Sequence, residues 1–357
     1  MNKKPFILGI ESSCDETAAS IISENNQGYP IILSNIISSQ VDIHKKFGGV
    51  VPELAARSHI DKIDWIVQKA IDDSGININE LDAVASTAGP GLIVCLSVGL
   101  SFGKAFAASL NKPFIAVNHL EGHALSPKLN SELDYPYLLL LISGGHSQYL
   151  SVKNLSEYKR LGTTIDDAIG EAFDKTAKLL GIDFPGGPQI EILAKKGDPN
   201  KYILPKPIFN KGGCNLSFAG LKTAILKIAK QIKTDQEKFD LAASFQKTVI
   251  EILYKKTRIA FKAFEKQVNS KEKKFVVAGG VAANKEIRKM LFKLCEEENY
   301  KPIFPPTELC GDNAAMIAMV GLEKFKLNQF NNLDHPAKPR WPLDENAAFL
   351  KGAGVKF

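Results

Sequence analysis

The order in which strand-like and helix-like segments follow one another narrows the fold of this chain more than any single motif. Residues 6–11 read as a buried strand, ended by the polar turn Ser12-Ser13-Cys14-Asp15-Glu16-Thr17. Residues 18–23 return as a second strand, and residues 31–38 form a third. Pro52 suits the first turn of a helix, and the apolar positions Leu54, Ala55, Ile60, Ile63, Ile66, Val67, Ala70 and Ile71 keep a helical period to about residue 73. A strand over 81–87 runs into Ala88-Gly89-Pro90-Gly91, a helix over 94–110 follows, and a strand over 114–117 closes the series. The pattern then restarts. It has strands over 137–142 and 148–152 around Ser143-Gly144-Gly145-His146-Ser147, and a helix over 166–180. The rigid turn Phe184-Pro185-Gly186-Gly187-Pro188 precedes helices over 218–232 and 237–267. A strand over 275–278, a helix to about 296, a strand over 302–304 and a helix over 312–326 complete it. An order of strand, hairpin, strand, helix, strand, helix that occurs twice predicts an α/β chain of two similar halves. The first half takes residues 1–130 and the C-terminal return 308–357; the second takes 131–307.

The 357 residues are 45% hydrophobic and 24% charged, enough chain for a sizeable core in each half. No apolar run reaches membrane-spanning length. The opening Met1-Asn2-Lys3-Lys4-Pro5 enters the first strand with no signal or transit segment, so the expected location is cytoplasmic, with no membrane partner. Five scattered cysteines without a CxxC pair exclude a disulfide framework and a zinc knuckle. Between Ser217 and Lys274 there are fourteen Lys/Arg against six Asp/Glu, a local excess of eight in a chain of net charge +6. Such a helical region suits a phosphate backbone, and it equally suits a solvated helix face.

Two of the six histidines stand four apart, in Asn118-His119-Leu120-Glu121-Gly122-His123. On a helix that spacing puts both imidazoles on one face, one turn apart, where they can share a divalent ion or simply cap a strand-to-helix junction. A site with an open position needs a third ligand, and Asp312 in Cys310-Gly311-Asp312-Asn313 is the candidate. The glycine-rich turns each follow a strand, where backbone N–H groups can approach a phosphate. Neither the P-loop nor the dinucleotide fingerprint is present. Asp174 lies mid-helix, either paired with Lys178 or turned to a ribose hydroxyl; Glu191 offers the second role too; Asn284 fits a helix N-cap or a ligand contact.

Together these stretches resemble one family, the TsaD (Gcp) tRNA adenosine threonylcarbamoyltransferases of bacterial type. The resemblance rests on Gly9 to Thr17, Gly48 to Ala55, Ala88 to Leu92, His119 to His123, Ile142 to His146 and Gly170 to Leu180. Pro185 to Pro188, Ser217 to Lys222, Gly279 to Asn284 and Arg340 to Leu343 extend it over nearly the whole chain. It implies an actin/Hsp70-like ATPase fold, two RNase H-like halves flanking a nucleotide cleft. It implies transfer of threonylcarbamoyl from threonylcarbamoyl-AMP to the exocyclic amine of adenosine 37 in tRNAs reading codons that start with A, with release of AMP. His119, His123 and Asp312 match the family's ligands to one divalent ion, iron(II) ahead of zinc. Leu141, Ile142, Ser143, Gly144, Gly145, Asp174, Gly187 and Asn284 match positions that hold the adenylate. Glu191 stands where many members have Asp, with the same charge on a longer arm. The companion proteins TsaB and TsaE are the implied partners. Glu16 is the candidate for positioning the amine or accepting its proton.

Two other functions remain on the sequence alone. A metalloprotease would carry His-Glu-x-x-His, whereas Glu121 follows His119 by two positions. A sugar-kinase-like ATPase shares the expected fold, but its Mg²⁺ chemistry relies on oxygen ligands rather than a histidine pair.

Overall fold

The computed structural model describes residues 4–348. The chain forms two compact units: one takes the chain up to Leu133 together with Pro305–Glu345, the other Asp134–Phe304 and the described residues from Asn346 on.

In the first unit, β1 (Ile7–Glu11), β2 (Glu16–Glu24) and β3 (Pro30–Ser39) form an antiparallel meander. After α1 (Val41–Lys45), α2 (Pro52–Ile60) and α3 (Ile63–Ser74), β4 (Ala83–Gly89) pairs parallel to β1. Then come α4 (Ile93–Ser109), β5 (Phe114–Asn118), parallel to β4, and the short α5 (His119–Leu125). The sheet order is β3-β2-β1-β4-β5. The helical period expected to run unbroken from Pro52 to about residue 73 is split at Asp61-Lys62 into α2 and α3.

Strand alternation decides what each face of β1 meets. Leu8 and Ile10 join the buried cluster with Ile66, Val67 and Ala70 of α3 and Leu100 of α4. Ile7, Gly9 and Glu11 therefore face the opposite side. There α11 (Ala314–Lys326), brought in by the C-terminal return, lies against the sheet. It comes so close that a Cβ on Gly9 would stand 2.4 Å from the Ala314 carbonyl oxygen and 2.5 Å from the Ala318 nitrogen.

The second unit repeats this plan. β6 (Tyr137–Ile142), β7 (Ser147–Asn154) and β8 (Glu157–Thr163) form the meander. Four helices follow: α6 (Ile169–Leu179), α7 (Gly186–Ala194), α8 (Ala219–Ala229) and α9 (Asp235–Glu265). Next, β9 (Lys274–Ala278) pairs parallel to β6, α10 (Lys285–Glu298) crosses over, and β10 (Lys301–Ile303) pairs parallel to β9. The sheet order β10-β9-β6-β7-β8 is that of the first unit, strand for strand. This doubled α/β plan is that of the actin/Hsp70-like fold with its RNase H-like halves. β8 and α7 are absent from the sequence expectation. β8 is a charged edge strand, EYKRLGT, and α7 opens on Gly-Gly-Pro, which reads as a turn until its first-turn proline is recognised. No helix among the described residues is long and apolar enough to cross a membrane.

Candidate active site

α5 carries both histidines and is buried along its whole length. Asn118 caps it by accepting a hydrogen bond from the Leu120 amide at 2.9 Å, so His119 takes the first helical position and His123 sits one turn on. Their rings meet edge to face with centroids 4.8 Å apart. Asp312 does not begin α11, as the sequence suggested, but precedes its cap. Asn313 accepts from the Met316 amide at 3.0 Å and donates to the Gly311 carbonyl at 2.8 Å, which fixes the turn. The carboxylate of Asp312 thus stands at the positive end of α11.

Two locks hold α5 against α11. A Cβ on Gly122 would lie 3.0 Å from Ile317 and 3.1 Å from Met316, so the two helices touch at this glycine. The buried Glu121 carboxylate pairs with Lys324 Nζ at 2.9 Å. Glu121 therefore serves the helix contact and is not a base beside the histidines, which removes the feature a zincin-type protease would need.

The Nε2 atoms of His119 and His123 lie 3.5 and 3.1 Å from Asp312 Oδ1, and the three donor atoms fall within 4.8 Å of one another. Ligands about 2.1 Å from a tetrahedral or octahedral ion stand about 3.0–3.4 Å apart, so both histidine–carboxylate spacings suit a divalent ion, and the widest donor spacing would close on binding one. The second nitrogen of His119 supports the fit. Its Nδ1 lies 2.9 Å from Glu11 Oε2, so Nδ1–H donates to the carboxylate and Nε2 is left for an ion. Thr87 Oγ1 also donates to Glu11 Oε2, at 2.6 Å, and the Ser13 hydroxyl lies 3.2 Å from His119 Nδ1. Among the described residues, His123 Nδ1 is buried with no hydrogen-bond partner. Glu11 is a site residue the sequence reading did not single out. It is the final residue of a buried strand, and its partner lies 108 positions later.

Burial opposes every charge here, but the charges answer one another. His119 is raised well above the usual imidazole value because Glu11 and Asp312 outweigh its burial. Asp312 is held well below the usual carboxylate range, its burial outweighed by His119 and then His123. Glu11 is lowered, its burial outweighed by His119. Glu16, the first residue of β2, is pushed well up by burial, then by the charges of Asp312 and Asp15.

The other predicted residues gather in the second unit, around the ends of β6 and β9. Leu141 and Ile142 end β6, fully buried. In the turn that follows, Ser143 N donates to the His146 carbonyl at 2.8 Å, while the Ser143 and Gly144 carbonyls accept from the first amides of α6. Among the described hydrogen bonds, the amides of Gly144 and Gly145 donate to nothing, and a Cβ at either residue would meet open space. Gly279 at the end of β9 has φ +94°, and a Cβ there would come 2.4 Å from the Ile142 carbonyl oxygen, which draws the two strand ends together. Asp174 Oδ1 accepts from the Gly186 amide at 2.8 Å and so ties α6 to the start of α7, beside the open Gly187. Glu191 accepts from the Lys285 amide at 3.2 Å. Asn284 does what an N-cap does: Oδ1 accepts from Ile287 N at 3.0 Å and Nδ2 donates to Gln246 Oε1 at 3.0 Å.

Five of the fourteen basic residues between Ser217 and Lys274 have a described ion-pair partner, namely Lys238, Lys247, Arg258, Lys273 and Lys274, and Glu251 lines the groove beside them. Arg258 meets Glu298 at 2.6 Å, Lys273 meets Glu265 at 2.7 Å, and Lys206 pairs with Glu251. A groove of about 720 Å³ beside α9, lined by Lys206, Phe209, Tyr254, Lys255, Arg258 and Lys262, is thus a mixed surface rather than a uniformly basic one. All five cysteines are free thiols.

The family model TsaD, tRNA N6-adenosine threonylcarbamoyltransferase, matches residues 31–319. A protein of that name from Pelagibacter ubique (strain HTCC1062) is 79% identical over 356 residues, covering 100% of both chains. One from Rickettsia rickettsii (strain Sheila Smith) is 52% identical over 342 residues, 95% of this chain and 98% of that one. Among solved structures, T. kodakarensis HypF superposes with a TM-score of 0.61 at 16% identity, over 93% of this chain and 49% of its own, a likeness of fold.

Proposed function

This chain belongs to the TsaD family, tRNA N6-adenosine threonylcarbamoyltransferase, and we propose that it carries out that transfer from threonylcarbamoyl-AMP to adenosine 37 of tRNAs reading codons that start with A. The observation that carries the reading is the convergence of His119, His123 and Asp312, from distant parts of the chain, with Glu11 turning one ring toward the shared point. The proposal assigns the ion to the half formed by residues 1–130 with 308–357, and the adenylate to 131–307.

In the transfer, the exocyclic amine forms a new N–C bond at the carbamoyl carbon, the C–O bond to the phosphate breaks, and AMP leaves. An ion held by His119, His123 and Asp312 supplies Lewis acidity, iron(II) ahead of zinc(II). The unpaired amides of Gly144 and Gly145 are donors for the phosphate that gathers charge as AMP departs. Leu141, Ile142 and Ser143 set the strand end that presents them, and Gly187 leaves room for the nucleoside near Asp174 and Glu191. Asn284 supports this floor through its cap. No enzyme nucleophile is required; the amine's proton passes to Glu16, the half-buried carboxylate that opens β2 next to Asp15.

The companions TsaB and TsaE and a cytoplasmic setting belong to the same proposal. The test is reconstitution with those companions, threonylcarbamoyl-AMP and unmodified tRNA, with the modified nucleoside quantified after digestion. Wild type is expected to form it and His119→Ala to lose it. Equal yields from the two proteins would overturn the reading.

A further inference from the structure

Behind the hairpin turn that carries Asp15 and Glu16 lies a chain of buried polar groups that no step above uses. His44, His59 and Thr17 are 0% exposed and Gln40 is 1% exposed. His59 Nε2 lies 3.0 Å from the Cys14 carbonyl oxygen, and His59 Nδ1 lies 2.7 Å from Thr17 Oγ1 and 3.4 Å from Gln40 Nε2. His44 Nε2 lies 3.2 Å from Gln40 Oε1, and His44 Nδ1 lies 3.3 Å from the Val51 nitrogen. The Gln40 amide donates to the Asp15 carbonyl at 3.0 Å.

Backbone groups at both ends fix the polarity of this chain. The Cys14 carbonyl only accepts, so His59 carries its proton on Nε2. The Val51 N–H only donates, so His44 accepts at Nδ1 and carries its proton on Nε2. His44 then donates to Gln40 Oε1, which turns the Gln40 NH₂ toward His59 Nδ1 and the Ala55 carbonyl. Thr17 donates its hydroxyl to the same Nδ1. With both rings neutral each ring N–H has an acceptor, and the Thr17 hydroxyl and a Gln40 N–H share the single lone pair of His59 Nδ1; burial lowers His59 from its usual value in the same direction.

We propose that His44, Gln40 and His59 are positioning residues for the transfer, a one-way hydrogen-bond relay from α1 and α2 that sets the turn bearing Asp15 and Glu16. The relay grips that turn at three points: the Cys14 carbonyl, the Asp15 carbonyl and the Thr17 hydroxyl. On the other side Ser13 contacts His119. The two carboxylates lie in the turn between these anchors. The role in turnover rests on the transferase reading; the relay itself does not.

Two measurements test it. Nitrogen-15 NMR of histidine-labelled protein near neutral pH should show both rings neutral with the proton on Nε2; either ring charged, or protonated on Nδ1, overturns the relay. Thr17→Val removes the hydroxyl at nearly constant volume, and a misplacement of this kind lowers rate on the order of tenfold to a hundredfold. The loss should fall on kcat, with KM for tRNA and bound ion unchanged, and Thr17→Ser should restore it. Equal kcat in the Val and Ser variants, or an effect confined to KM or ion content, overturns the positioning role. Should the wild-type protein form no modified nucleoside, the transferase reading fails, and the NMR result still decides the relay.

Discussion

Glu11 does for His119 what spacing alone cannot: it chooses which nitrogen is left for an ion. Its carboxylate accepts from Nδ1–H at 2.9 Å and is itself steadied by Thr87. Partners of this kind are worth about 10–100-fold in metal affinity, so Glu11→Gln should weaken ion binding by that factor in a metal titration while leaving the fold intact. The same carboxylates hold a proton on His119 when no ion is present. Ion binding should therefore release protons and weaken as pH falls, which calorimetry in buffers of different ionisation heat would measure. For the ion-free protein the signs are opposite for the two kinds of group. The lowered Glu11 contributes stability above its ordinary value of 4.5 and the lowered Asp312 above its ordinary value of 3.8, lost as pH falls through their lowered values. The raised His119 contributes fully below 6.5, and that part is lost as pH rises through its raised value. In chelator, the difference in melting temperature between wild type and Asp312→Asn should be largest between 3.8 and 6.5 and shrink on either side. Glu16→Gln should lower turnover by about 10²–10⁴ with little loss of ion if Glu16 takes the amine's proton. Of these residues, the histidine pair was legible because a spacing of four is a local signal. Glu11 was hidden because its meaning depends on which strand ends beside which helix.

At the scale of elements, the site is as good as the contact between α5 and α11. Glu121→Gln strips the partner from Lys324 in a nearly dry contact and should cost about 3–5 kcal/mol in denaturant unfolding of the first unit. Gly9→Ala drives a methyl against the α11 backbone and should cost about 1–3 kcal/mol. Because Asp312 precedes that helix, ion affinity should fall along with stability. An unchanged affinity in Gly9→Ala would show that Asp312 is held by its own turn instead. The elements that the sequence displayed carry a single, unmixed signal: the apolar runs of β1, β4, β6 and β9, buried on both faces, and the long period of α9 with its Thr234/Glu237 capping box. Those it concealed sit where two signals conflict. β8 alternates charged and buried residues at a sheet edge, and α7 begins on residues that usually end helices. The stop between α2 and α3 has no proline or glycine to announce it.

At the scale of the whole molecule, one strand order has been built twice, and the second copy is inserted into the first. Residues 134–304 form one continuous unit with its own core, so they should fold when expressed alone, shown by dispersed NMR amide signals. A chain ending at Phe304 should leave the first unit without α11, exposing the β1 face around Gly9 and abolishing ion binding. The doubled order was readable because each copy repeats the same sequence of periods. Of the meetings at the site, His123 with Asp312 spans the insertion and was readable as a candidate ligand set, while Glu11 with His119, both within the leading segment, was not. The ligand set has a consequence for how the protein is made. A ribosome delivers His119 and His123 early and Asp312 only after the whole of Asp134–Phe304 has been made. A nascent chain therefore has two imidazoles but no complete grip, and loading with the ion is a late event in biogenesis that marks a chain as finished.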